Sequence, residues 1–529
     1  MVIAAAHSGP PPSLVIVFMV FLGMCGFLWL FTASGHDDTA MFPTRGTPGK
    51  AWHSGLAISG DSLSAVTLMA LVGLIAFTGY DGIMLSVGCV MSLVLLALLI
   101  AEPLRKAGGH TVGDALARRF PGRSVRTAVA VVTLAVCLPY LVLQLTAISA
   151  LTCAVLGLTG GTAKTACVIV LGSGMISLAL TGGMRGTARI QIVKVIALLL
   201  ALAVVAVLVL HRFHWNPDRL LGAAASHSLL GDGFLGPGAL YGHGWSGMAN
   251  RIGQLISLAL GIGFLPQVTM RVLAAPPGRA TRTAMHWAVA QFLAVSAFLV
   301  VIGLGTAAIL GSPALHQADP SGSSALLLIT NTLKPNGVLV SVVICVVFLT
   351  ALTTVTDVTL AAATSMARDL TPGEADRHDT PTRRQEHRAR WAAALAGVVT
   401  IAVAVKAVDW NLLVLTTLAL TLSSSGLAPV LFYGLLWPRF TARGALWCLY
   451  GSSVLGLLLI AVSPLISGSP AAAFPGWDFH RTTLANPALV TVPVGFALGW
   501  LGSITDRRDS AAEHYGKLAT ASLVGRSTG

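Results

Sequence analysis

Five oxygen-bearing side chains stand out in this chain: Thr350, Thr353, Thr354, Asp357 and Thr364, all within an apolar stretch long enough to cross a bilayer. On a helix they fall at i, i+3, i+4, i+7 and i+14, so hydroxyls and one carboxylate share a face. An ionisable group at mid-membrane costs at least ~2.5 kcal/mol on insertion scales, so such a stripe points to a lined cavity or a held ion. The plain alternative for any one threonine is a bond back to the carbonyl four residues earlier, which merely bends the helix. That alternative does not cover Asp357. A second signal lies in the run Leu56 to Thr78, which contains Gly-Asp-Ser-Leu-Ser-Ala at 60 to 65. Gly60 weakens a helix there, and Asp61, Ser62 and Ser64 offer the backbone other partners. Unwinding would free main-chain carbonyls, suitable ligands for a hard monovalent cation. An ordinary helix with Asp61 turned to a neighbour is the competing reading.

These residues need a membrane-spanning frame, and the composition supplies one. Of 529 residues, 55% are apolar and only 10% charged, where a soluble domain carries roughly a quarter charged. Apolar runs of about 20 residues, matched to a ~30 Å hydrocarbon core, predict thirteen spans. They start near residues 13, 57, 81, 127, 165, 190, 253, 284, 338, 392, 411, 445 and 486. The first run, Ser13 to Phe31, follows a leader without Lys or Arg, which argues for a helix rather than a cleaved signal peptide.

The net charge of +13 is explained by where the basic residues fall. Alternate connections, beginning with 34 to 56, hold 24 of the 33 Lys and Arg, and the others hold six: Lys164, Arg212, Arg219, Lys334, Lys406 and Arg481. Lys194, Arg251 and Arg271 lie in or at the edge of spans. The asymmetry predicts an external N-terminus and a cytoplasmic C-terminus in a plasma-membrane protein, and argues against a nucleic-acid surface. The seven cysteines all fall in predicted spans without a CxxC pair, and read as small packing residues rather than a disulfide framework or zinc site. The segment 211 to 250, rich in Gly and with Pro217 and Pro237, reads as an irregular external cap. The charged segments 101 to 126 and 368 to 391 read as solvated loops or surface helices near anionic lipid. No HExxH, GxSxG elbow or P-loop occurs, and the expectation is a protein that is not an enzyme.

Several segments together resemble a known family. They are GLAISGDSLSA (55 to 65), TGYDG (78 to 82), AEPLRKAGGHTVGDALARRF (101 to 120), GGMRGTARIQIVK (182 to 194), GIGFLPQVTMR (261 to 271), WPRFTARGA (437 to 445) and NPALV (486 to 490). By their order and spacing the chain resembles the sodium/solute symporters, and within them the acetate and monocarboxylate branch. The resemblance implies an all-α, LeuT-like fold: a five-plus-five inverted repeat with one helix before it and two after. Mapped here, the N-terminal helix and loop occupy 1–53, the first repeat 54–212, an external loop 213–249, the second repeat 250–436, two peripheral helices 437–506 and a cytoplasmic tail 507–529.

By the same resemblance, a sodium site joins the carbonyls of Gly60 and Leu63 to the hydroxyls of Thr353 and Thr354 and the carbonyl of Thr350. Asp357 is expected as a further ligand or a proton carrier, so the coupling ion stays open between sodium and proton. Tyr140, Gln144, Pro266 and Gln267, with Asp61, are expected at the substrate, and Arg271 is expected to snorkel at the cytoplasmic end. The branch's usual His after the sixth-helix proline is Gln267 here. In the place where sugar- and proline-type members carry Thr-Asp stands Ile190-Gln191. The implied function is symport of a cation with a short-chain monocarboxylate such as acetate, propionate or pyruvate. The implied partners are that carboxylate, a monovalent cation and the lipid bilayer, with no nucleic acid, no obligatory protein partner and no cofactor besides the coupling ion. Other solutes of the family (amino acid, sugar or vitamin) and a transporter-like sensor or channel without coupled flux are the alternatives.

Overall fold

The computed structural model describes residues 17–19 and 51–506, apart from 121, 159, 336, 372–382, 409, 469–471 and 475. The expected first helix at 13–31, most of the loop after it, and the tail from 507 lie outside the described residues.

The run containing Gly60 folds as two helices, α1 (Ala51–Ser62) and α2 (Ala65–Thr78), bent by 64° at a short break. The break sits at Leu63 and Ser64, just after Gly60, which stays helical. Ser64 starts α2 in extended conformation and accepts the Thr67 N–H with its side chain, a standard N-cap that satisfies one of the four donors left free at a helix start. At Gly79 the chain turns with φ +51, where any Cβ would also strike the Phe234 carbonyl, so only glycine fits.

The chain then runs through α3 (Tyr80–Ala107), with one π turn at Leu96–Ile100, α4 (Val112–Ala117) and α5 (Ser124–Leu156). Next come α6 (Gly161–Arg212) and α7 (Pro217–Ser226). A second interruption follows α8 (Trp245–Gly261): residues 262–265 leave the helix, and α9 (Pro266–Ala274) starts on a proline at its first turn. Proline is at home there because the missing N–H has no intrahelical partner anyway. The rest comprises α10 (Arg279–Leu310), α11 (Ser312–Ala318), α12 (Ala325–Leu333), α13 (Val338–Asp369), α14 (Arg383–Lys406), α15 (Leu412–Leu436), α16 (Ala442–Ala461) and α17 (Ala488–Ile504).

Among the described residues, ten stretches are long and apolar enough to cross a bilayer, or eleven with the bent pair α1 and α2. Of the thirteen expected, the other two are the run at 13–31 and α17, which is apolar but 17 residues long. Two expectations need correcting. The spans starting near 165 and 190 are both present, as Gly161–Thr181 and Ile190–Arg212, but the connection between them is helical rather than a loop, so α6 runs through both. The segment 211 to 250, expected as an irregular external cap, is not wholly irregular: Asn216 caps α7 and Pro217 opens it, and a 3-10 turn follows at Gly231–Leu235.

At the core, α13 lies against α5 and α6, while α1 packs on α10 and α6. Arg119, between α4 and α5, donates to the carbonyls of Tyr433, Gly434, Trp437, Pro438 and Phe440 at the C-terminal end of α15. It adds donors to carbonyls around the last helical turn, two of which, those of Tyr433 and Trp437, also accept a backbone N–H. The six described cysteines carry no disulfide.

Candidate functional site

Where α1 breaks, α6, α9 and α13 converge on a buried set of charges. Gln191 of α6 donates one amide to two carboxylates, Asp61 at 2.8 Å and Asp357 at 2.5 Å. Arg271, in the last turn of α9, donates to Asp61 at 2.6 Å and to Asp357 at 3.0 Å. Three helices and the broken one are therefore tied at one point. Arg271 is only 6% exposed, so the expected snorkelling is wrong. Because the chain breaks at 262–265, the end of the short helix α9 falls inside the bundle, where a guanidinium needs carboxylate partners. Asp61, expected at the substrate, is held by Arg271 and Gln191.

One turn further along α6, Lys194 is fully buried. Its Nζ donates to the Gly60 carbonyl at 2.6 Å and lies 3.4 Å from that of Leu63. These are the two carbonyls that the resemblance offers to sodium. The Gly60 oxygen also accepts the Leu63 N–H at 3.3 Å. On α13, Thr353 donates to Leu349 and Thr350, Thr354 donates to Thr350, and Thr350 donates to Val346. Thr356, Thr359 and Thr364 bond back to their own helix in the same way. Every threonine of the stripe bonds back within α13, Thr364 also reaching the Met270 sulfur of α9, and the Thr350 carbonyl accepts from both Thr353 and Thr354.

A different face of the break carries uncharged groups. Tyr140 and Gln144, one turn apart on α5, are both buried, and the Tyr140 hydroxyl lies near Ser64 at the start of α2. Both amide atoms of Gln144, and both of Gln267 at the start of α9, are buried without a hydrogen-bond partner in the protein. An unpaired buried polar group costs about 1–3 kcal/mol, which makes Gln144, on a helix that packs against both α2 and α9, and Gln267, at the start of α9, candidates for meeting a polar guest. The α2 and α9 N-termini add unpaired N–H groups and the positive ends of their dipoles, which favour a carboxylate.

A second charged cluster closes one end of the bundle. Arg126, near the start of α5, is paired with Asp114 of α4 and bonds Asp369, in the last turn of α13, at 3.2 Å. Arg368 pairs with Asp114 at 2.8 Å, while Thr111 and Ser365 donate to Asp369. This latch joins α4, α5 and α13, and the segment 101 to 126 is accordingly more structured than a solvated loop.

The sequence pattern of the sodium:solute symporter family matches residues 47–451. The chain belongs to that family. Among curated relatives, it is 29% identical over 527 residues to the monocarboxylic acid transporter of Corynebacterium glutamicum, covering 98% of this chain and 96% of the relative. It is also 29% identical over 492 residues to the uncharacterized symporter YwcA of Bacillus subtilis, covering 92% and 93%. Among solved structures, a Na+-coupled sialic acid symporter in a substrate-bound outward-open state superposes with a TM-score of 0.64 at 16% identity, covering 93% of this chain and 97% of that one. Mhp1, a nucleobase-cation-symport-1 family transporter in a closed conformation, gives 0.51 at 11%, covering 92% and 99%. These likenesses agree on the all-α, LeuT-like fold class, and the chain is a multi-pass membrane symporter.

Within this symporter, sequence reasoning brought Asp61 and Asp357 forward but missed what joins them. In the sequence Gln191 stands out only as a departure from other branches, and Lys194 only as a charge in or at the edge of a span. The signal was present: a lysine four residues into a long apolar run is an intramembrane ionisable group, a functional candidate by default. The latch of Arg126, Asp114, Arg368 and Asp369 was hidden because its members lie in segments that read as surface loops.

Proposed function

We propose that this symporter couples inward movement of a cation to uptake of a short-chain monocarboxylate, of the size of acetate, propionate or pyruvate, by alternating access. The observation that carries the reading is the juxtaposition of two interrupted helices with the unpaired amides of Gln144 and Gln267. A small carboxylate would accept from the free N–H groups at the starts of α2 and α9, and from the amide nitrogens of the two glutamines. The name of the C. glutamicum relative supports the same substrate class. Tyr140 shapes the wall beside Ser64 and limits the guest to a short chain.

Alternating access would rock the broken helices against the rest around this point, with the Arg126–Asp114–Asp369 latch shutting one end, taken as cytoplasmic from the distribution of basic residues. A tenfold cation gradient supplies about 1.4 kcal/mol, and a potential of about 100 mV adds about 2.3 kcal/mol per net charge moved. One monovalent cation with one monoanion moves no net charge, so it draws on the ion gradient alone.

Uptake of radiolabelled acetate, propionate and pyruvate into proteoliposomes, under imposed sodium or proton gradients, tests the reading. Saturable accumulation that an ionophore abolishes is expected. Absence of saturable uptake for all three, under either gradient, would sink it in favour of another solute of the family.

A further inference from the structure

Lys194 serves neither carboxylate directly. Its Nζ points instead into the break of α1, at 2.6 Å from the Gly60 oxygen and 3.4 Å from that of Leu63. An ammonium held by two carbonyl dipoles and a dehydrated alkali ion ask the same oxygens for the same thing. We propose that Lys194 is the resident cation of this break, a tethered ammonium standing where the resemblance puts a sodium ion, so that the position takes no sodium from solution. The proposal deepens the symport reading and rests on it only for its meaning in transport: whatever cation drives uptake is not a sodium ion at this position.

Three observations converge. The Gly60 oxygen receives both Lys194 and the Leu63 N–H, so its two lone pairs are engaged. The other half of the sodium set is committed at its carbonyl. It is the Thr350 carbonyl that is committed, since it accepts from the buried hydroxyls of both Thr353 and Thr354, whose own oxygens keep their lone pairs. Finally, the charges already balance: Arg271 is paired with Asp61 and Asp357, and Lys194 supplies the second positive charge that two carboxylates require. A sodium ion added beside Lys194 would leave a buried excess of positive charge, which a low-dielectric site disfavours. As arranged, these residues do not fit sodium.

Sodium-22 binding to the purified protein in lipid nanodiscs tests this with no carboxylate present, so its outcome is separate from that of the uptake experiment. Wild type, Lys194→Ala and Thr354→Val are compared. The expected result is that wild type shows no saturable sodium binding that Thr354→Val removes, while Lys194→Ala gains a saturable site that wild type lacks. Saturable wild-type binding abolished by Thr354→Val overturns the proposal, as does a sodium affinity that Lys194→Ala leaves unchanged. Should Lys194→Ala fail to fold, the comparison of wild type with Thr354→Val decides alone.

Discussion

Arg271 shows how much rests on single side chains at the centre of the molecule. Removing one partner of a buried ion pair leaves an uncompensated charge and costs about 3–5 kcal/mol. Arg271→Gln should therefore lower the thermal unfolding midpoint markedly, and adding Asp357→Asn should recover part of the loss. A double-mutant cycle measures the coupling, and strict additivity would show that the pair does not act as drawn. Gly60 is limited by space rather than by backbone angle: a Cβ there would lie 2.5 Å from the Gln191 Oε1 and 3.1 Å from a Val195 methyl. Gly60→Ala should push Gln191 off its two carboxylates and cost about 1–3 kcal/mol, as overpacking does. Thermal unfolding in detergent reads this, and an unaltered midpoint would contradict it. At this scale the sequence was only half legible. A carboxylate inside an apolar run announces itself, whereas its partner can sit on any of several helices, and only the fold brings Asp61, Gln191, Arg271 and Asp357 to one point.

Helix existence was easier to read than helix ends, because apolar runs long enough to cross a bilayer leave few alternatives. What the runs could not show is where a ladder continues through polar residues, as in α6, or where a short helix stops mid-bundle, as in α9. Loops carry their own logic. Asp319, just after α11, accepts from the backbone and hydroxyl of Ser321, from the hydroxyl of Ser323 and from the Ser324 N–H. That seats Gly322 against Gly73 of α2, where a Cβ on Gly73 would be 2.2 Å from the Gly322 oxygen. Partial burial alone would raise the Asp319 pKa, but these donors outweigh it and hold the carboxyl below its ordinary value. With the folded pKa below the unfolded one, Asp319 contributes stability above about pH 3.9 and loses it as pH falls through the lower folded value. The protection of the Ser321 and Ser324 amides against exchange, relative to their intrinsic rates, should fall at strongly acid pH. Asp319→Asn should exchange faster already at neutral pH, and equal rates in the two proteins would refute this role.

For the whole molecule, the fold class was legible from hydropathy and from the order of a few short strings, and the distribution of positive charge suggested an orientation. The mechanical partition was not legible, because it depends on contacts between segments far apart in the chain. Arg119 makes one such partition visible. Its guanidinium grips five carbonyls around the end of α15, a job that needs a planar fork of donors and that a lysine could not perform. The stretch that opens α5 and the stretch that closes α15 are thereby welded into one lever. Spin labels at Arg123 and Trp437 should keep a constant separation whether the protein is trapped open to one side or the other. In an Arg119→Lys background the distance distribution between them should broaden.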